Sequence, residues 1–289
     1  MTAEWETLRA VWLVVTLDVS MIPLGAVPLW LCWRLHKGRW GRVLGPPMRA
    51  AMATVPLTLI LLVPLLSQEP LAGIAILLGW LIAWWCAQQD GTRSAPVGLI
   101  LYTLSTSFAG FYWVLALQPE ADSSIFGLIM IAHQMVGALA FAILFALLDD
   151  DRVETDALGG LGNMLLGAVM LWAYFEFMQY LVAWSGDQPR LLSFFLPRLL
   201  GAWGGTATGV FLLLGGVPFA ALLFRAVRRS RIGLIALSAL VLGMSLVEGI
   251  WLVVPVIDAS FLSILIAAAI GSLVWAFGFH CALAKVRHG

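Results

Sequence analysis

Charged residues are scarce in this 289-residue sequence: Asp, Glu, Lys and Arg together make up 11% of it, where soluble domains carry about a quarter. A chain with so little charge cannot cover itself with a water-facing surface. Its 16 basic side chains are matched by 16 acidic ones, so there is no basic excess to grip a nucleic-acid backbone and no acidic run to form a solvated arm. Cysteine is as sparse. Cys32, Cys86 and Cys281 stand alone, without the Cys-x-x-Cys spacing that an iron-sulfur cluster or a structural zinc site requires, and no disulfide is expected. What fills the chain is apolar, at 62% of residues and a mean hydropathy of +0.97. The expected fold is an all-α, polytopic membrane helical bundle forming one integral membrane domain over residues 1–289.

A span needs about 20 mainly apolar residues to cross a hydrocarbon core of roughly 30 Å. Nine such stretches are separated by charge, Pro and Gly: Leu8 to Trp33, Arg49 to Leu66, Leu71 to Gln89, Pro96 to Leu117, Ser123 to Leu148, Leu158 to Trp184, Pro197 to Phe224, Ile232 to Pro255 and Ser260 to Ala284. An odd count puts the termini on opposite sides. Arg34, Lys37, Arg39, Arg42, Arg49, Arg93, Arg152, Arg225, Arg228, Arg229, Arg231, Lys285 and Arg287 fall on one side, and Arg9, Arg190 and Arg198 on the other. Thirteen against three of the 16 predicts an outer N-terminus and a cytoplasmic C-terminus. The first segment has Glu4 and Glu6 where a secretory signal has basic residues, and it reads as a retained helix. The longest connections are Arg34 to Pro47 inside and Ser185 to Leu196 outside. The second mixes apolar and charged residues, as a segment lying flat at the interface does.

The 14 Trp residues gather near span ends, among them Trp30, Trp33, Trp40, Trp84, Trp85 and Trp184, where interfacial anchoring is their ordinary role. The small-residue run Gly201 to Gly209 predicts close helix packing through Gly201, Gly205 and Gly209.

An ionisable side chain at membrane depth is costly unless it faces protein or water, so each is a functional candidate. They are Asp18, His133, Glu176 with its neighbour Gln179, Glu248 and His280, with the phenols Tyr102, Tyr112, Tyr174 and Tyr180 as weaker additions. At 1.5 Å per residue, Asp18 and His133 lie roughly 15 Å below the outer span ends, Glu176 and Glu248 roughly 10 to 12 Å, and Tyr112 under about 10 Å. Five groups from five helices thus share the outer half. His280 lies near the inner end, roughly 15 Å from the level of His133, so the two cannot clasp one haem. Structural readings stand beside the functional ones. Asp18 precedes Pro23 and Pro28 and would satisfy backbone groups freed by them, His133 with Gln134 would bridge helices, and His280 beside Lys285 would sit at the interface. Glu176 and Glu248 are harder to explain as glue, because a neutral amide bonds at a smaller desolvation cost.

Three stretches carry a family resemblance. Ser105 to Gly127, STSFAGFYWVLALQPEADSSIFG, resembles a Phe-Asp-Trp element that leads through Glu-Pro into Ser-Thr-x-Phe-Gly. Leu158 to Asp187, centred on MLWAYFEFMQYLVAWSGDQP, resembles a Trp-Ala-Tyr-x-x-Phe-x-Gln-Tyr-Leu helix. Glu248 to Pro255, EGIWLVVP, is similar to an acidic-x-x-Trp-Leu-Val-x-Pro helix end. The pattern is that of the F-type membrane subunit of alternative complex III, a bacterial quinol:cytochrome c oxidoreductase, in the polysulfide-reductase-like superfamily. The resemblance implies two four-helix bundles plus a flanking helix in the bacterial cytoplasmic membrane. It implies quinone or quinol as ligand, and lipids, multihaem cytochrome c, iron-sulfur subunits and a haem-copper oxidase as partners. Departures are Tyr112 in place of the motif Asp, Asp187 and Arg190 in place of Asn and Glu, and Glu248 in place of Asp; the chain is also shorter than the usual ten-helix subunit.

Glu176, Glu248, His133 and Asp18 are accordingly expected to transfer protons or touch quinone, with Gln179 and Tyr112 orienting it and no metal held by this chain. A phenol with a pKa of about 10 at position 112 removes a proton carrier there. This opens the rival expectation of a non-catalytic scaffold in such a complex or an oxidase supercomplex. A secondary transporter is the third class, disfavoured by the lack of matched broken helices.

Overall fold

Nine apolar runs of 19 to 31 residues form helices long enough to cross a membrane among the described residues. The computed structural model describes residues 2–67, 70–121, 123–149, 153–186, 189–257 and 261–288, with side chains except at 2–7, 10, 67, 191, 261–263, 265 and 287–288. Asp187, Arg152 and Ser260 therefore lie outside the described residues. The spanning helices are α1 (Thr2–His36), α2 (Trp40–Leu66), α3 (Pro70–Gln88), α4 (Ala95–Leu117), α5 (Phe126–Asp149), α6 (Thr155–Ser185), α8 (Gly201–Leu223), α9 (Arg231–Val256) and α10 (Phe261–His288), with a short α7 (Pro189–Leu199) between α6 and α8. The chain is an all-α polytopic bundle.

Helices α1 to α4 pack together, α5 to α8 and α9 form a second group, and α10 lies against α1 and α2. The groups meet where α1 packs on α5 and α9. Nearly all of α1 from Leu13 to Leu31 is buried, which makes it the axis of the bundle. Closeness at this seam depends on Gly25, where a Cβ would collide with the Gln134 carbonyl and with Ala138. With no hydrophobic drive between helices in lipid, such close contact supplies the packing.

Boundaries differ from expectation at two places. The segment from Arg34 to Pro47, read as a connection, is almost all helix: α1 continues to His36 and α2 begins at Trp40 rather than Arg49. Lys37 makes the turn with φ +49°, and the Trp33 indole donates to the Gly38 carbonyl at 2.8 Å, closing a three-residue hairpin. Pro46 and Pro47 fall within the helix without ending it. Farther on, the residues at 197–199 end α7 instead of opening the next span, because Gly201 turns the chain with φ +66°.

The glycine run is also corrected. Nothing lies within 4 Å of a Cβ placed on Gly201, Gly205 or Gly209, so this stripe faces open space. Close approach comes from Gly25 and from Gly249, where a Cβ would meet the Asp18 carboxyl. Several tryptophans bond between helices: Trp12 donates to Leu61 O at 2.7 Å, Trp84 to Met52 O at 2.8 Å, Trp80 to Thr106 at 3.0 Å and Trp275 to Thr54 at 2.9 Å. Trp85 and Trp184 are exposed on the outside of the bundle.

Candidate functional site

Ser238, Val241, Ser245, Glu248 and Leu252 recur on α9 at steps of three and four, the spacing of a single helix face, and all five are buried. Glu248 is fully enclosed. Its Oε1 accepts the Trp172 indole hydrogen at 2.7 Å, and its Oε2 lies 2.9 Å from His133 Nδ1. Two helices, α5 and α6, thus aim ring nitrogens at one carboxyl, as burial of that group demands. His133 Nε2 is buried with no hydrogen-bond partner. Asp18 of α1 lies against Gly249, the next residue of α9, and its Oδ1 also lacks a partner. The structure therefore gathers Asp18, His133 and Glu248 around one level of α9.

Glu176 is on α6, one turn beyond Trp172, and reaches the same region from the side. A cavity of about 330 Å³ opens between α6, α7, α8 and α9, and both Glu176 and Glu248 line it. The remaining walls are Trp172, Phe177, Tyr180, Phe195, Leu199, Ala207, Thr208, Val210, Phe211, Leu212 and Trp251. Phe177, Tyr180, Phe211 and Leu212 are also exposed on the outside of the bundle, so the mouth is lateral. One wall is irregular: Phe211–Gly216 is π-helical, a local widening of the helix that recurs at functional sites. Glu176 Oε1 has no hydrogen-bond partner.

Arg198 is the residue that sequence reading missed. Its place in the sequence is that of a loop cation, yet it is fully buried at the end of α7. Nε and Nη2 donate to Leu252 O at 3.1 and 2.6 Å, and Nη1 donates to Phe194 O at 2.6 Å and to the Gln118 side chain. These bonds satisfy a carbonyl left open where α9 runs out at Pro255. Its own carbonyl accepts from Trp251 Nε1 at 3.1 Å, and the guanidinium stacks over Phe194 at 3.8 Å. Burial pushes the guanidinium down from the ordinary arginine value to about 9, against which the nearby Glu176 carboxylate pulls it up, so it is charged at neutral pH. The available signal was Arg198 following Pro197 inside an apolar run.

The other expected site residues are elsewhere. Gln179 accepts from Ser123 at 2.6 Å and does not line the cavity. Tyr112 is exposed beside Phe108, 6.3 Å between rings, and does not line the cavity. Tyr102 donates to Gln134 at 2.7 Å inside the bundle. His280 is exposed on α10.

Fold and site together define a polytopic α-helical membrane protein with one buried carboxyl, Glu248, and one half-buried carboxyl, Glu176, on a laterally open, aromatic cavity. No protein-family model matches the chain, and no curated protein matches it. The arrangement can hold a flat, mostly apolar molecule and exchange protons with it. The volume falls within the range of small-molecule sites, which are likewise apolar with a few convergent polar groups.

Proposed function

We propose that this chain is an integral membrane subunit of a quinol-oxidising respiratory complex of the alternative complex III type, and that quinol binds in the cavity between α6, α8 and α9. The observation that carries this reading is the pairing of Glu176 and Glu248 on one aromatic pocket that opens sideways. A quinol that surrenders two electrons surrenders two protons as well, and each needs an acceptor within hydrogen-bond reach. Glu176 has an oxygen free to take one. Glu248, hydrogen-bonded to His133, takes the second, with Asp18 against Gly249 as a relay residue. Electrons pass to iron-sulfur and multihaem cytochrome c partners, in a bacterial cytoplasmic membrane with the N-terminus outside. The resemblance of the three motifs around Trp113, Trp172 and Trp251 supports the family. Replacing Glu176 or Glu248 with Gln in the intact complex is expected to lower quinol turnover by at least about tenfold, within the usual range for a proton-transfer group. Turnover within twofold of the parent, with all subunits retained, would reject the reading.

A scaffold without chemistry is the second reading, and one observation favours it: Tyr112, in the place of the family's Asp, is turned to the outside of the bundle next to Phe108. A scaffold would leave turnover unchanged in both Glu variants. Proteins that copurify in mild detergent, above all a multihaem cytochrome, an iron-sulfur protein or an oxidase, test the membership that both readings share.

A further inference from the structure

Arg42, Arg49, Ala53, Leu57 and Ile60 recur on α2 at steps of three, four and seven, the spacing of one helix face, and all five are exposed. Leucine and isoleucine are ordinary on a face turned to lipid; Arg49 is not. The span Trp40–Leu66 has 27 residues, roughly 40 Å at 1.5 Å per residue, so centring it on a hydrocarbon core of roughly 30 Å sets the Arg49 backbone inside that core. A charge there is costly unless it reaches the headgroups or an opposite charge. Helical side chains tilt toward the N-terminus, which for α2 is the end nearer Arg49, and the guanidinium lies over the Trp30 ring, 5.8 Å from its centroid. Beside this face runs a groove of about 350 Å³ between α2 and α10, lined by Ala53 on one side and by Gly278, Cys281, Ala282, Lys285 and Val286 on the other. Ala53, Cys281 and Lys285 are exposed, so the groove opens sideways. Ala53 is one turn from Arg49, and the groove therefore brings Lys285 alongside the arginine face. Among the described residues no carboxylate forms an ion pair with Arg42, Arg49 or Lys285.

We propose that this groove holds one anionic phospholipid, with Arg49 and Lys285 on its headgroup phosphate and an acyl chain laid over Ala53 toward Leu57 and Ile60. Arginine offers phosphate a planar fork of donors, and lysine adds a compact point charge. Trp30 backs the guanidinium by cation–π contact, and Arg42, two turns nearer the start of α2, adds positive charge on the same face. Basic pockets between membrane helices take anionic headgroups on these terms. Charge also selects the occupant. A zwitterionic lipid brings a cation of its own to a site that already has two, and a second copy of this chain meeting through the same face would set like charges against each other. The site is separate from the cavity of Glu176 and Glu248, so it stands or falls without the quinol reading.

The test is native mass spectrometry of the delipidated full chain, titrated with phosphatidylglycerol or with phosphatidylcholine of the same acyl chains. Phosphatidylglycerol is expected to bind the more tightly, and Arg49→Gln combined with Lys285→Gln to weaken it at least about tenfold, since each cation near an anionic lipid contributes about fivefold. Arg225→Gln combined with Arg229→Gln removes the same charge from the exposed α8–α9 connection and is expected to bind as the parent does. Cys281 gives a readout in a chain whose cations are intact: with Cys32→Ser in place, phosphatidylglycerol is expected to protect the groove thiol from a maleimide. Equal affinity for the two lipids, equal loss in the two double variants, or an unprotected Cys281 would overturn the proposal. Displacement of the lipid by inorganic phosphate would reduce the site to one for a free anion, and a dimer that protects Cys281 without lipid would give the face to a second copy; either result also overturns it.

Discussion

Trp172 and His133 each present a ring nitrogen to Glu248, and the cost of losing one is not symmetric with the gain of having it. The net worth of a buried hydrogen bond is about 1 kcal/mol, but an acceptor left unpaired in an enclosed site forfeits about 1–3 kcal/mol, more when it is charged. Trp172→Phe keeps the aromatic packing against Phe211, 6.4 Å between rings, and removes only the indole hydrogen from Glu248 Oε1. We expect this variant to lower the unfolding free energy by about 1–3 kcal/mol while the chain still purifies with its helix content intact. Denaturation in mixed micelles with increasing dodecyl sulfate measures the change, and an unaltered midpoint would mean that a water replaces the indole. Glu248, His133 and Asp18 were legible as candidates because an ionisable group in an apolar run is conspicuous. Trp172 and Arg198 were not, for opposite reasons: one of 14 tryptophans is hidden among residues expected to anchor at interfaces, and an arginine beside a span end passes for a loop cation. What decides both is a partner distant in sequence, Glu248 for the first and Leu252 for the second, and periodicity along one helix carries no information about such pairs.

Helices in this bundle are set by close approach at a few glycines, and the sequence spacing of small residues was a poor guide to which ones. Gly201, Gly205 and Gly209 have the expected four-residue repeat but open space beside them, while Gly25, with no such pattern, holds α1 against the Gln134 carbonyl of α5. Small-residue spacing reports that a helix can be approached; only the partner helix decides that it is. The two classes respond oppositely to a methyl group. Gly209→Ala adds a side chain into free space and relieves the conformational cost of glycine within a helix, so its thermal midpoint in detergent is expected to stay level or rise slightly. Gly25→Ala forces α1 off α5, a shift transmitted directly to Asp18, two turns away on α1, and the midpoint is expected to fall by several degrees. Equal midpoints for the two variants would mean that the α1–α5 seam is plastic. Element count survived the passage from sequence to structure because long apolar runs are separated by charge. Element ends did not, since the α1–α2 hairpin depends on one left-handed Lys37 and the break before α8 on one left-handed Gly201, features that composition does not register.

For the molecule as a whole, direction across the membrane decides what the cavity can do. Helix α7, the loop carrying Gln118 and the C-terminal end of α9 lie together at one end of the bundle, joined by Arg198, and in the orientation proposed from thirteen basic residues against three that end faces outside. With this orientation the proposed quinol oxidation would release protons from Glu176 and Glu248 to the outer face over a short path, on the side where a soluble cytochrome would collect electrons. With the opposite orientation the same carboxyls would open toward the cytoplasm, and quinol oxidation here would acidify the wrong side. Nine crossing helices, the number long and apolar enough among the described residues, would put the two termini on opposite sides of the membrane. In spheroplasts, an N-terminal epitope tag is expected to be cut by added protease while a C-terminal fluorescent fusion stays protected and bright. Both tags protected, or both cut, would break the span count. A protected N-terminus with an exposed C-terminus would keep the nine helices but invert them, and would end the quinol proposal without any measurement on Glu176 or Glu248, because the proton acceptors would then face the side from which such a complex draws no electron acceptor.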